Sequence, residues 1–194
     1  MIPAFNQSGV LPPYLPDLPH GSEGSLAPFR VSLQDFVKRF SINEERVNII
    51  KGFLSYRKEL KKIGIVEGFQ WINGSFVEDV ERTRLRPPHD IDIITFAYRP
   101  AYVMHNDDWE NLVRENIKLF DPAISKKEFQ CDAYFVDLDL PSHVIVNRTS
   151  YWYGLFSHQR ESFLWKGMLE ILLSDNEHDE YIEEIFSGGH KDAS

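Results

Sequence analysis

The sequence predicts a mixed α/β (α+β) domain, a mixed β-sheet with flanking helices, and three observations carry that reading. An apolar pattern with helical period runs from Val47 to Ile63, short β-prone runs follow at Phe69 to Ile72 and Ile91 to Phe96, and helical and strand patterns alternate beyond Asp107. A chain of 194 residues closes one substantial core more readily than two. Residues 32–174 are therefore expected to form the domain, with an extended Pro-rich segment at 1–31 and an acidic tail at 175–194.

The elements follow in order. Pro3, Pro12, Pro13, Pro16, Pro19 and Pro28 prevent regular helix at the start. Phe5, Val10, Leu11, Tyr14 and Leu15 among them favour a strap packed on the body over a free tail, because a solvated linker seldom carries so many apolar anchors. Ser32-x-x-Asp35 resembles a capping box before Phe36, Val37 and Phe40, and Ser41-x-x-Glu44 is expected to open the longest helix. In that helix Val47, Ile50, Phe53, Leu54, Leu60 and Ile63 form the buried stripe, with Lys51, Arg57, Lys58 and Lys61 on other faces and Gly64 as the stop. Phe69 to Ile72 and Ile91 to Phe96 read as strands, with Gly74-Ser75 a turn after the first. Trp109 to Phe120 reads as a helix and Phe129 to Leu138 as a third strand. Alternation through Trp165, Gly167, Leu169, Ile171 and Leu173 gives a fourth, and a short helix is expected at Tyr181 to Phe186.

Composition narrows the function. Twenty-one Lys and Arg against 30 Asp and Glu give a formal charge of −9, which disfavours indiscriminate binding to nucleic acid or anionic membranes. A nucleic-acid substrate would need a local basic strip. Cys131 is the only cysteine, so a disulfide framework and a multi-cysteine zinc site are both excluded, and the chain fits a reducing cytosol. Met1 to Leu11 lacks the pattern of a secretory signal, and no window approaches the roughly 18 apolar residues of a membrane span. The expectation is a soluble, cytoplasmic protein with no membrane partner.

The chemistry concentrates in Asp90-Ile91-Asp92. Residues two apart on a strand point to one face, so these carboxylates are forced side by side while Ile91 and Ile93 face the core. Their repulsion raises at least one pKa unless a cation relieves it, and hard oxygen ligands select Mg2+ or Mn2+. Gly74-Ser75, fourteen residues (76–89) upstream, suits a phosphate: glycine permits close backbone approach, a helix start offers N–H donors, and the Ser75 hydroxyl adds another. A third carboxylate is best assigned to Asp132, inside the apolar run Cys131 to Val136, whereas Asp137 and Asp139 read as solvated strand-exit residues.

These residues resemble the polymerase-β-like nucleotidyltransferase superfamily, whose signature is a hydrophobic residue, Gly-Ser, a spacer, Asp-x-Asp and a later strand acid. Residues 68–137 carry the match. Met1-Ile2-Pro3-x-Phe5, Gly9-Val10-Leu11-Pro12-Pro13 and the segment Arg160 to Gly167 are similar to a poorly characterised bacterial and phage branch. The chain departs from the pattern in having Asn73 where many members have a second glycine, a longer spacer, and no room for the large helical domain that often holds the acceptor. A shallow acceptor site or a partner protein that completes it would follow.

The resemblance implies a nucleotidyltransferase of the corresponding sheet type. In it Asp90, Asp92 and Asp132 hold Mg2+ or Mn2+ against the phosphates of a nucleoside triphosphate, and Asp132 assists as proton acceptor. Gly74 and Ser75 hold the β- and γ-phosphates, and Arg160 and Lys166 contact the triphosphate or the acceptor. Protein hydroxyls, RNA ends and small molecules are the acceptors to weigh; net acidity leans towards a protein. Stand-alone members of this superfamily often work in toxin–antitoxin or phage-defence pairs. The contrasting reading is a non-catalytic nucleotide- or partner-binding module that keeps the fold. Arg82, Arg84 and Arg86 either steer a phosphate-rich partner or form a solvated loop, His89 orients the loop before Asp90, and Cys131 reads as a small buried residue.

Overall fold

A computed structural model describes residues 2–19, 21–22, 24–160 and 162–175, so the expected helix at Tyr181 to Phe186 and the tail beyond Asp175 lie outside the described residues. In chain order the elements are β1 (Phe29–Arg30), α1 (Leu33–Phe40), α2 (Glu44–Lys62), β2 (Gly68–Asn73), α3 (Val80–Arg84), β3 (Ile91–Ala97), α4 (Asn106–Glu115), α5 (Pro122–Phe129), β4 (Cys131–Asp137), α6 (Ser142–Phe156) and β5 (Leu169–Leu172). The strands form one mixed sheet in the order β1-β5-β2-β3-β4. β2 runs antiparallel to β3 and β5, while β3 and β4 are parallel, as are β1 and β5. The α/β architecture expected from the sequence is therefore present.

Helices cover both faces. On one, α2 lies against Gln70 and its neighbours: Arg57 Nη1 donates to Gln70 Oε1 at 2.7 Å, and Ile72, Ile93, Ala133 and Leu169 are fully buried. α1 packs on α2 through Phe36 and Phe53, with centroids 5.6 Å apart. On the other face α6 lies over Trp71 and Tyr134, where Tyr153 and Trp152 meet them at 6.2 and 4.5 Å. The Pro-rich start is a strap: Val10 and Leu11 are fully buried, Val10 bridges to Glu78, and Gly167 N donates to Leu11 O at 2.8 Å. Among the described residues no helix is long and apolar enough to cross a membrane.

Several local expectations change. Ser32 caps α1 by accepting from Asp35 N, but α2 is capped by Asn43, whose extended backbone and side-chain acceptor for Arg46 N displace the expected Ser41 box. The Ser41 N–H is still committed to α1, donating to Val37 O. Arg57 is buried instead of facing solvent, because Gln70 and the Leu172 carbonyl satisfy its guanidinium. The helix after Asp107 ends at Glu115 and continues only as a 3-10 turn, Ile117–Leu119. Phe129 closes α5, an unforeseen helix begun by Asp121 and Pro122, so the third strand starts at Cys131. The fourth strand is shortened to Leu169–Leu172, and α6, with its aromatic-rich sequence and weak amphipathic period, was not legible.

α2 crosses α5 at Gly52. A Cβ there would lie 1.9 Å from the Phe129 carbonyl oxygen, so the helices touch through backbone. Gly52→Ala is expected to destabilise the fold by about 1–3 kcal/mol through overpacking, measured as a lower urea midpoint with unchanged m-value.

Candidate metal centre

The parallel register sets Asp92 opposite Asp132, and the antiparallel register sets Asn73 opposite Asp92. Residues paired across a ladder project to the same face, so Asn73, Asp92 and Asp132 form one row on the α6 side. Asp90 lies two residues before Asp92, just ahead of β3. One carboxylate oxygen from each of Asp90, Asp92 and Asp132 lies within 4.8 Å of the others. The three acids singled out in the sequence thus converge.

Burial, with the Asp90 and Asp132 charges, raises the Asp92 pKa from 3.8 to about 6, partly offset by Lys166 and Arg160. The donor set fits a hard divalent ion: three carboxylates converge, one held back from ionising by burial and by the other two. A cation already stands beside them. Lys126 of α5 ion-pairs with Asp90, and that contact raises the lysine pKa.

The Gly74-Ser75 turn closes the row. Gly74 has φ +80°, and a Cβ on it would lie 2.6 Å from Asp92 Oδ2, so only glycine lets the turn sit against that carboxylate. Its peptide is gripped at both ends: Gly74 N donates to Asn73 Oδ1 at 2.7 Å, and Gly74 O accepts from Lys166 Nζ at 3.2 Å. Asn73, a departure from the Gly-Gly-Ser pattern, thereby acquires a structural task. A single 3-10 turn, Ser75–Val77, follows, and the Ser75 hydroxyl makes no hydrogen bond among the described residues.

Lys166 and Arg160 both line the cavity of about 250 Å3 that holds these groups, but they differ. Lys166 is 5% exposed and donates to Glu78 Oε1 at 2.6 Å; burial lowers its pKa and the Glu78 charge opposes that shift. Its ammonium steadies the turn. Arg160 is exposed at the mouth. Of the spacer arginines, Arg84 lines the cavity and pairs with Glu78 at 3.3 Å, whereas Arg82 pairs with Asp79 and Arg86 donates to its neighbour's carbonyl. Asp137 is not a solvated exit residue: it is buried against Arg99 at 2.8 Å. Cys131 is fully buried, as expected.

Three residues at this site escaped sequence reasoning. Glu78 collects Lys166, Arg84 and Gln159 although nothing marks it locally except its place after the turn. Asn73 is the residue preceding the glycine. Lys126 sits on a helix whose only sequence signal was Asp121-Pro122.

A protein-family profile matches residues 3–172, which includes the strap, all three acids, the turn and β5. The chain belongs to that family, whose description is "Family of unknown function (DUF6932)". No curated protein and no solved structure matches it.

Two outcomes follow from this geometry. Lys166→Ala leaves Glu78 buried with only Arg84 and Gln159, and is expected to cost about 2–4 kcal/mol of stability, seen as a lowered melting temperature. Asp92 has a folded pKa above its unfolded one, so its contribution to stability is complete below about pH 4 and lost as pH rises through about 6. In metal-free protein Asp92→Asn should therefore match the wild type near pH 4 and exceed it by about 2–3 kcal/mol at pH 8 in urea unfolding.

Proposed function

We propose that the chain is a metal-dependent nucleotidyltransferase of the polymerase-β-like kind, moving a nucleoside monophosphate from a nucleoside triphosphate to a hydroxyl acceptor. The observation that carries this reading is the convergence of Asp90, Asp92 and Asp132 beneath a glycine turn that no other residue could form so close to Asp92. Protein, RNA and small-molecule hydroxyls are all acceptors within this class, and a toxin–antitoxin or phage-defence setting is compatible with it.

Asp90, Asp92 and Asp132 would hold Mg2+ or Mn2+. The bound ions supply neutralisation of phosphate charge and a lowered pKa for the acceptor hydroxyl. The chain's own groups do the rest. The Gly74-Ser75 turn, fixed by Asn73 and Lys166, would present the Ser75 N–H and hydroxyl to the outer phosphates without reorganising during the reaction, the Gly74 N–H being held by Asn73. Arg160, exposed at the cavity mouth, would contact the triphosphate. Asp132 takes the proton of the hydroxyl as its oxygen bonds to the α-phosphorus and the bond to the β-phosphate oxygen breaks, releasing pyrophosphate. Lys126, ion-paired with Asp90, would become available to the phosphates if a cation replaced it at that acid.

Incubation of the purified chain with each α-labelled triphosphate, Mg2+ or Mn2+, and a cell extract tests the proposal directly. Label should move to an acceptor, and Asp92→Asn should reduce transfer to below about 1% while the protein stays folded. Undiminished transfer by that variant would sink the assignment, and no transfer under any condition would favour a non-catalytic binding module. Arg160→Ala is expected to weaken triphosphate binding about 3- to 10-fold with an unchanged melting temperature, as for one partly solvated ionic contact.

A further inference from the structure

A second cavity, of about 690 Å3, lies beside the metal centre and shares no lining residue with it. Its volume is within the roughly 300–1,000 Å3 of small-molecule sites. It wraps the end strand of the sheet, β4. On one face of that strand Tyr134 and Trp152 meet at 4.5 Å; on the other, Trp109 and Phe135 meet at 5.6 Å. These rings are only partly buried, so part of each remains open to a ligand.

The charges in this cavity cancel. Arg99 is tied to Asp137 at 2.8 Å and lies over the Trp109 ring at 5.3 Å, whereas Arg148 and Glu110 have no hydrogen-bond or ion-pair partner among the described residues. One unpaired donor group and one unpaired acceptor group remain on an aromatic, formally neutral wall. That suits an uncharged planar heterocycle, whose edge carries both donors and acceptors, and offers little to a polyphosphate or a polynucleotide, which need surplus positive charge.

The two cavities are joined through side chains. Tyr134 follows Asp132 by two residues on β4 and projects to the same face, while Trp152 lies one helical turn before Phe156 on α6, their rings 6.0 Å apart. Phe156 lines the first cavity and Trp152 the second. A ligand stacked on Trp152 therefore sits on the Asp132 side of the acid cluster, where the proposed proton acceptor is.

We propose that this second cavity is the acceptor subsite and that it takes an uncharged nucleoside-like compound, a planar heterocycle carrying hydroxyl groups. The acceptor role rests on the nucleotidyltransferase reading; the binding does not. In the step concerned, a hydroxyl oxygen of the nucleoside forms the new bond to the α-phosphorus, its proton passes to Asp132, and pyrophosphate leaves with the electrons of the broken bond.

The test uses the full chain and adenosine, guanosine, cytidine and uridine as probes, with equilibrium dialysis for binding and α-labelled triphosphate with Mn2+ for transfer. At least one nucleoside should bind saturably, and Asp92→Asn should leave that affinity within two-fold. Trp152→Leu should weaken it about 10-fold or more, as loss of one stacking surface does, while Mn2+ binding is retained. Arg148→Ala, at an exposed position, should weaken it several-fold and keeps the test decisive if Trp152→Leu fails to fold. The bound nucleoside should also become labelled in the transfer assay. Absence of binding by all four, binding unaffected by either variant, or a 12-nucleotide RNA binding more than 10-fold tighter overturns the proposal. Binding with label passing only to a protein or RNA overturns the acceptor role. Binding with no transfer to anything removes the nucleotidyltransferase reading and leaves the nucleoside site standing on its own.

Discussion

Like charges set opposite one another on adjacent strands destabilise a sheet. The register of β3 and β4 nevertheless places Asp92 against Asp132, with Asp90 close enough for all three to share one ion. Much of the surrounding structure is arranged so that this register cannot slip. A one-residue shift would turn Ile93 and Ala133, fully buried under the helices of the opposite face, towards the α6 side, and would bury the acids in their place. The apolar face thus holds the polar one in position, and burial of Asp92 together with the unrelaxed repulsion from Asp90 and Asp132 keeps its pKa raised.

A second layer of restraint acts on the turn. Arg46, 1% exposed, donates to the Phe76 and Glu78 carbonyls at 2.6 and 2.7 Å and pairs with Glu81, so α2 grips the chain just beyond Gly74. From the opposite side Lys166 and Gln159 reach Glu78, which couples the segment after α6 to the same turn. The strap adds a third hold: Asp79 N donates to Gly9 O at 2.8 Å, and Val10 bridges to Glu78. Three segments distant in sequence therefore meet behind two residues, Gly74 and Ser75. Such convergence makes a backbone turn rigid, so that a ligand bound there would need little ordering of the turn.

This division explains what could be read from the sequence. β3 announces itself because strand period and chemistry coincide in Asp90-Ile91-Asp92, and Asp132 stands out as an acid inside an apolar strand. α2 was legible from its stripe, yet Arg46 and Arg57 were not, since a buried arginine looks like a surface one until its carbonyl and amide partners are known. Lys166 was picked out as a cation of the site, but its ion pair was not legible, its partner Glu78 lying 88 residues away. α6 was missed because both of its sides carry aromatics, one packed on the sheet and the other, including Tyr151, exposed, so no single apolar stripe marks it.

The two cavities differ in electrostatic character, and the difference follows from which side of Asp132 each occupies. Towards Asp92 lie the acids with Lys126, Arg160 and Arg84, a setting of separated full charges that suits metal and phosphate. Towards Tyr134 lie rings, an internally paired Arg99 and the exposed Arg148 and Glu110, a setting with no surplus charge for an ionic ligand. β4 carries this boundary within two residues, Asp132 and Tyr134, on one face of one strand. Full charges and an aromatic wall thus sit next to each other on one sheet of a chain whose formal charge is −9. The end strand of the sheet, flanked by α4, α5 and α6, carries both settings side by side.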